Sequence, residues 1–297
     1  MTFFFKKNNV LVAAACLLVV AMGTYFFIRH LERTIDIQPI TSFKDVDIQS
    51  LTHNISPKDV LIFFDIDDTV ITSPEMILRE SFIPYGFALR ALVNHPKLLK
   101  TKNFEHIISI IFKEARRTIT EPYVVDFIDQ LKKDGYLVLG LTKTSSGEFG
   151  VIPDFPKFRY EQLKQFGITM SNHFPNTTFT ELKPYKNRIP ALYNGIIFCS
   201  EQPKGKVMQA FLKQFNYHPR VIMLFDDGIK NLVSVKKAAK EEHIPFYGFH
   251  YLAYVAVPGV WNTPRTLFQL DYLIQNSKWL SDEKADEMMP GEAKVLN

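Results

Sequence analysis

Short apolar runs recur along the chain with helix-length segments between them, and this alternation limits the fold more than any other feature. Val60–Phe64 (VLIFF), Tyr136–Leu141 (YLVLGL), Val221–Phe225 (VIMLF) and Pro245–Phe249 (PFYGF) are continuous rather than alternating. Such runs suit strands buried on both faces. Between them, residues 121–133, 204–215 and 229–242 read as helices, with a shorter one at 159–165. Val124, Phe127, Ile128 and Leu131 fall on one helical face, with Thr120 and Pro122 at the start and Gly135 at the end. Ala191–Tyr193, Asn194-Gly195 and Ile196–Phe198 read as a hairpin on the strongest two-residue turn signal. Strands alternating with helices predict an α/β fold, a mainly parallel sheet with helices on both faces.

The first part of the chain has a different character. Val10–Ile28 is a run of 19 uncharged residues. As a helix it would reach about 28 Å, close to the hydrocarbon thickness of a bilayer. Lys6 and Lys7 precede it, which predicts a cytoplasmic N-terminus at 1–9, a signal anchor at 10–28 and an outward-facing body. Cleavage after Ala21-Met22-Gly23 is the rival reading and would release the body. Residues 29–56 read as a linker, 57–277 as the domain and 278–297 as a C-terminal helix and fraying tail, with 264–288 helical.

Charge supports this division. Residues 1–34 carry four basic side chains and one acidic one, which leaves 31 basic and 30 acidic in the other 263 residues. The body is therefore nearly neutral, which argues against nucleic acid as a partner. Two cysteines, Cys16 and Cys199, exclude a disulfide scaffold, and Cys199 follows an apolar run as a small core residue would.

In a parallel sheet the chemistry gathers at the carboxyl ends of the strands. Asp65-Ile66-Asp67-Asp68-Thr69 follows the first run, Thr142-Lys143-Thr144 the second, and Asp226-Asp227 the third. Lys204-Gly205-Lys206 opens the helix before that third run. Carboxylates gathered at one strand edge repel one another unless a cation intervenes, and an all-oxygen donor set suits Mg²⁺. Asp65 could then attack phosphorus as a nucleophile, and Asp67, two residues on, could serve the leaving group with a proton. Thr142 offers a hydroxyl to a phosphoryl oxygen, and Lys204 offers positive charge, with Lys206 and Lys143 as rivals. Asp68 reads as a structural hydrogen-bonder, His250 as a packed histidine and Arg116-Arg117 as part of a solvated helix face.

FFDIDDTV, VLGLT, the lysine of PKGK and LFDD, in this order, resemble the four motifs of the haloacid dehalogenase (HAD) superfamily. The resemblance extends from about Asp59 to Tyr251, and FDIDDT, the Asn-Gly hairpin and FDDGIKN are similar to one bacterial HAD-like family. It implies a Rossmann-like core with a small helical cap inserted at 72–118. It further implies Asp65 as phosphorylated nucleophile and Asp67 as acid/base, with Thr142 and Lys204 binding phosphate. Asp65, Asp67 through its carbonyl, Asp226 and Asp227 would hold Mg²⁺. The expected function is a Mg²⁺-dependent phosphatase acting on a small phosphomonoester, tethered to a bacterial inner membrane and facing the periplasm. A non-catalytic HAD-like binding module and an exported effector phosphatase are the alternatives.

Overall fold

The computed structural model describes residues 37–78, 104–252 and 262–289. The membrane-segment expectation at 10–28 lies outside them, and so does the part of the expected helical cap at 79–103; a short 3₁₀ turn at Met76–Leu78 precedes that part. Among the described residues no helix is long and apolar enough to cross a membrane. The unit from Pro39 onward holds the fold described below, apart from the first two residues of its opening strand.

It is a mixed α/β structure built on an eight-stranded sheet. The strands are β1 (Ile37–Ile40), β2 (Val60–Phe64), β5 (Leu137–Thr142), β6 (Thr177–Thr178), β7 (Ala191–Tyr193), β8 (Ile196–Phe198), β9 (Val221–Asp226) and β10 (Phe246–Tyr251); β3 (Ile71–Thr72) and β4 (Thr118–Ile119) form a separate antiparallel pair. The order across the sheet is β1-β10-β9-β2-β5-β8-β7-β6. From β10 to β8 neighbours are parallel, and β7 and β6 add an antiparallel edge. The order reverses on either side of β2: the chain goes first to β5 and β8, then returns to β9 and β10. A topological switch point therefore lies between β2 and β9, where a crevice opens at the carboxyl ends of the strands.

The helices are α1 (Ile48–Leu51), α2 (Phe104–Glu114), α3 (Tyr123–Lys133), α4 (Phe155–Gln165), α5 (Lys204–Gln214), α6 (Ile229–Glu241), α7 (Thr263–Asn276) and α8 (Asp282–Met288). Successive residues of β2 face opposite ways. Phe64 meets Phe127 of α3 edge to face at 6.1 Å, whereas Phe63 meets Phe211 of α5 at 6.4 Å. All five residues of β2 are buried, as the continuous apolar run predicts.

Four expectations need correction. Residues 39–56 are not a linker: Phe43 is fully buried, stacked 4.5 Å from Tyr251 and 5.5 Å from Phe127. The apolar residues here are spaced too irregularly to show a period, so the segment reads as polar although four of them, Ile40, Phe43, Val46 and Ile48, fill the core. The helix expected at 264–288 is two helices, broken where Ser277 adopts φ 52°. The segment from 278 does not fray through its described part, because Trp279, Leu280 and Ala285 are buried. α4 also starts earlier than the sequence suggested, at Phe155, with Asp154 accepting from the Lys157 N–H as its cap.

The insertion leaves from β3 and returns at β4. Its helix α2 is fixed to the rest of the domain. Ile107, Ile110 and Ile111 share an apolar cluster with Leu270, Leu273 and Trp279. Ser109 Oγ accepts from the Val151 N–H at 2.8 Å, and Glu105 pairs with Arg188.

Candidate active site

Asp65 directly follows β2, and its N–H donates to the Phe225 carbonyl of β9 at 2.8 Å. That bond sets Asp65 beside Asp226, the last residue of β9. Lys204, the first residue of α5, reaches between them. Its Nζ lies 2.7 Å from Asp65 Oδ1 and donates to Asp226 Oδ2 at 2.6 Å. The second Asp226 oxygen accepts from the Gly228 N–H at 2.8 Å and from Asn231 Nδ2 at 2.9 Å. Thr69 Oγ1 accepts from the Asp227 N–H at 3.1 Å, and His250 Nε2 donates to the Asp227 carbonyl at 2.8 Å. The turns after β2 and β9 are thus tied together and to β10.

Lys204 is the lysine at this site, and Lys206 is exposed. Residues 65, 204 and 226 come from three separate elements, so the sequence could align them only through the fold. Oxygens of Asp65, Asp226 and Asp227 lie within 4.8 Å of one another. Three carboxylates so close, with one ammonium among them, fit the donor set of a hard divalent cation such as Mg²⁺. Burial, opposed by Lys204 and reinforced by Asp226, pushes the Asp65 carboxyl well above its ordinary range. Asp226 and Asp65 hold the Lys204 ammonium above its usual range despite burial.

Thr142 closes β5 at the same edge, buried, with its Oγ1 3.2 Å from Thr144 Oγ1. Asp68 is structural as expected: at φ 57° it accepts from Thr72 Oγ1 at 2.6 Å, which fixes the turn into β3. Cys199 is fully buried, and burial pushes its thiol up to about 12, as befits an unreactive core residue.

Asp67 lies to one side of this cluster, where its carbonyl and not its carboxylate is the expected metal contact. Its carboxylate is not among the converging three. It accepts both hydrogen bonds of Arg159 Nη2, at 2.8 and 3.0 Å, and Arg117 Nη1 stands 3.7 Å away. The solvated-face reading of Arg116-Arg117 is therefore corrected for Arg117, whose side chain is 6% exposed against 54% for Arg116. Arg159 is completely buried beside the rings of Phe112 and Phe155, each 5.4 Å from its guanidinium carbon. Arg159 on α4 and Asn231 on α6 are the site-building residues the sequence did not reveal. A single arginine in a helix carries no local sign of burial; the DDGIKN turn offered a faint one for Asn231.

The chain belongs to a family described as protein of unknown function (DUF2608), whose pattern matches residues 39–286. It is similar to uncharacterized protein RP296 of Rickettsia prowazekii (strain Madrid E), 26% identical over 259 residues, covering 85% of this chain and 91% of the relative. It is also similar to uncharacterized protein RC0398 of Rickettsia conorii (strain ATCC VR-613 / Malish 7), 24% identical over 235 residues, covering 76% of this chain and 79% of that one. No solved structure matches it.

Proposed function

We propose that this chain is a phosphomonoester hydrolase of HAD type that works through an aspartyl-phosphate on Asp65. The supporting observation is the Lys204 ammonium held between Asp65 and Asp226, with Asp227 alongside, at the switch point of a parallel sheet. The strand order and the insertion between β3 and β4 support a HAD-like core with a cap.

An Asp65 oxygen attacks phosphorus, and the bond from phosphorus to the leaving oxygen breaks. Asp67 supplies that oxygen with a proton. Water then attacks the phosphorus of the aspartyl-phosphate, Asp67 takes its proton, and inorganic phosphate departs with Asp65 restored. Lys204 holds Asp65 and offsets charge on the transferring group, and Thr142 hydrogen-bonds a phosphoryl oxygen. Asp65, Asp226 and Asp227 would hold Mg²⁺, which supplies positive charge against the phosphoryl oxygens. With residues 10–28 as a membrane anchor, the domain would face the periplasm of a bacterium.

One observation favours a second reading, a non-catalytic binding module. The Asp67 carboxylate is gripped by Arg159 and must leave that grip to act. Phosphate release from an aryl phosphate, followed with and without Mg²⁺ in the full-length protein and in Asp65→Asn, separates the two. The hydrolase reading expects Mg²⁺-dependent turnover that falls at least about a thousandfold in the variant, as for loss of a nucleophile. No turnover in the folded wild type favours the binding module, and turnover that survives Asp65→Asn excludes Asp65 as nucleophile.

A further inference from the structure

Two guanidinium groups stand beside Asp67, and one carboxylate serves both. Arg159 is the better satisfied. It takes both Asp67 oxygens through Nη2 and donates through Nη1 to Gln162 Oε1 at 2.6 Å. Arg117 is not: its Nη1 is 3.7 Å from Asp67 Oδ1, beyond hydrogen-bond range, and its buried Nε, like that of Arg159, has no acceptor. Both stand over the ring of Phe112, Arg117 at 5.3 Å and Arg159 at 5.4 Å. A buried guanidinium without a matched anion is costly, so the pair carries one positive charge for which the described residues supply no close partner.

Arg117 also lines an open cleft of about 340 Å³. Lys113 and Arg116 share that wall, opposed by Glu161, with Phe158 and Phe166 completing an apolar side. Arg116 is already engaged by Glu283 at 2.8 Å, so Lys113 and Arg117 set the charge of the cleft. Arg117 thus has Asp67 on one side and a basic cleft on the other.

We propose that Arg117 selects substrates whose leaving group carries a second anion, a carboxylate or another phosphate a few bonds from the ester oxygen. This rests on the hydrolase reading. There the leaving oxygen lies next to Asp67, which brings the rest of the leaving group toward Arg117 and the cleft. A guanidinium fork matches both carboxylate and phosphate, and the substrate's anion provides the counter-charge Asp67 shares between two arginines.

The test compares kcat/KM within matched pairs, using the full-length protein and Mg²⁺. One pair is 3-phosphoglycerate against glycerol 3-phosphate. The other is propane-1,3-diol bisphosphate against propane-1,3-diol monophosphate. Wild type is expected to prefer the anionic member by about tenfold or more, the scale of one charge-assisted hydrogen bond. The two pairs show whether carboxylate or phosphate is the better ligand. Arg117→Gln should bring the ratio close to one, and Arg117→Lys should restore part of it. Lys113→Glu, on an exposed residue, should lower the ratio as well, and it decides the matter if the Arg117 variants do not fold. Turnover without preference in wild type, or a ratio unchanged in Arg117→Gln and Lys113→Glu, overturns the inference and leaves the hydrolase reading standing. No turnover of any member by wild type counts against the hydrolase reading itself and removes the inference with it.

Discussion

Lys204 holds its charge out of solvent between two carboxylates, and so its removal is a test of the site's electrostatics. Lys204→Met leaves Asp65 and Asp226 buried and facing each other, a situation that costs about 3–5 kcal/mol. The thermal midpoint should fall accordingly, and added Mg²⁺ should recover more of it in the variant than it adds to wild type. An equal effect of Mg²⁺ on both would mean that the three aspartates do not hold the ion. Glu75 makes a different test. It is 1% exposed, Oε2 accepts from Trp279 Nε1 at 2.7 Å, and Oε1 has no hydrogen-bond partner. Burial pushes its carboxyl up to about 7, with Asp282 and Glu283 adding to the rise and Trp279 and Arg116 opposing it. The folded protein therefore binds the Glu75 proton more tightly than the unfolded chain does. Stability from this group is complete below about pH 4.5 and is lost as pH rises through about 7, a total on the order of 3 kcal/mol. Glu75→Gln should flatten that part of the pH dependence and raise the midpoint at pH 8. A variant whose midpoint falls with pH as steeply as wild type from 5 to 8 would assign the loss to another group.

At the scale of elements, the lysine depends on how closely two helices approach. A Cβ on Gly205 would lie 2.2 Å from the Ser234 carbonyl oxygen of α6, and that backbone cannot yield as a side-chain tip could. Gly205→Ala should cost about 1–3 kcal/mol by overpacking and should push the start of α5, with Lys204, away from Asp65. On the proposed hydrolase reading, activity should then fall further than stability alone explains, measured as kcat below the melting range; a variant that loses stability and keeps kcat would show that α5 absorbs the shift elsewhere. The sequence did mark this place, as a Lys-Gly pair at a helix start, and it marked every central strand, because a strand buried on both faces is apolar throughout. It marked the hairpin through Asn-Gly. It could not mark the partners of Asp67. Arg117 and Arg159 lie 42 residues apart in the chain, and although Phe112 and Phe155 each precede one of them by about a helical turn, only the fold sets both arginines over the Phe112 ring and beside Asp67. Nor could it separate α7 from α8, since Ser277-Lys278-Trp279 contains neither glycine nor proline and the turn is made by a serine in the left-handed region.

Over the whole molecule, the ends of the described chain close the domain rather than trail from it. Trp279 ties the C-terminal segment to the insertion: its backbone N–H donates to Glu114 at 2.8 Å and its indole to Glu75. The N-terminal side does the same for the sheet. Ile40, Phe43, Val46 and Ile48 are buried in the main core, and the Ile40 carbonyl accepts from the Leu252 N–H at 2.9 Å at the end of β10. Phe43 is central to this closure, with Phe64, Phe127, Phe225 and Tyr251 all within 5.7 Å of it, ring centre to ring centre. The family match begins at residue 39, where this closure begins, and not at 57, where the aspartate and lysine motifs alone would place a boundary. Phe43→Ala should therefore cost about 3–5 kcal/mol, as for a large aromatic removed from a closed core. A chain that begins at Pro57 loses all four apolar side chains and exposes the aromatic cluster of β2, β9 and α3. It should bind a hydrophobic dye and unfold without a sharp thermal transition, whereas the full chain should melt cooperatively. A sharp transition from the shortened chain, at a midpoint near that of the full one, would show that residues 39–56 only cover a core that is already complete.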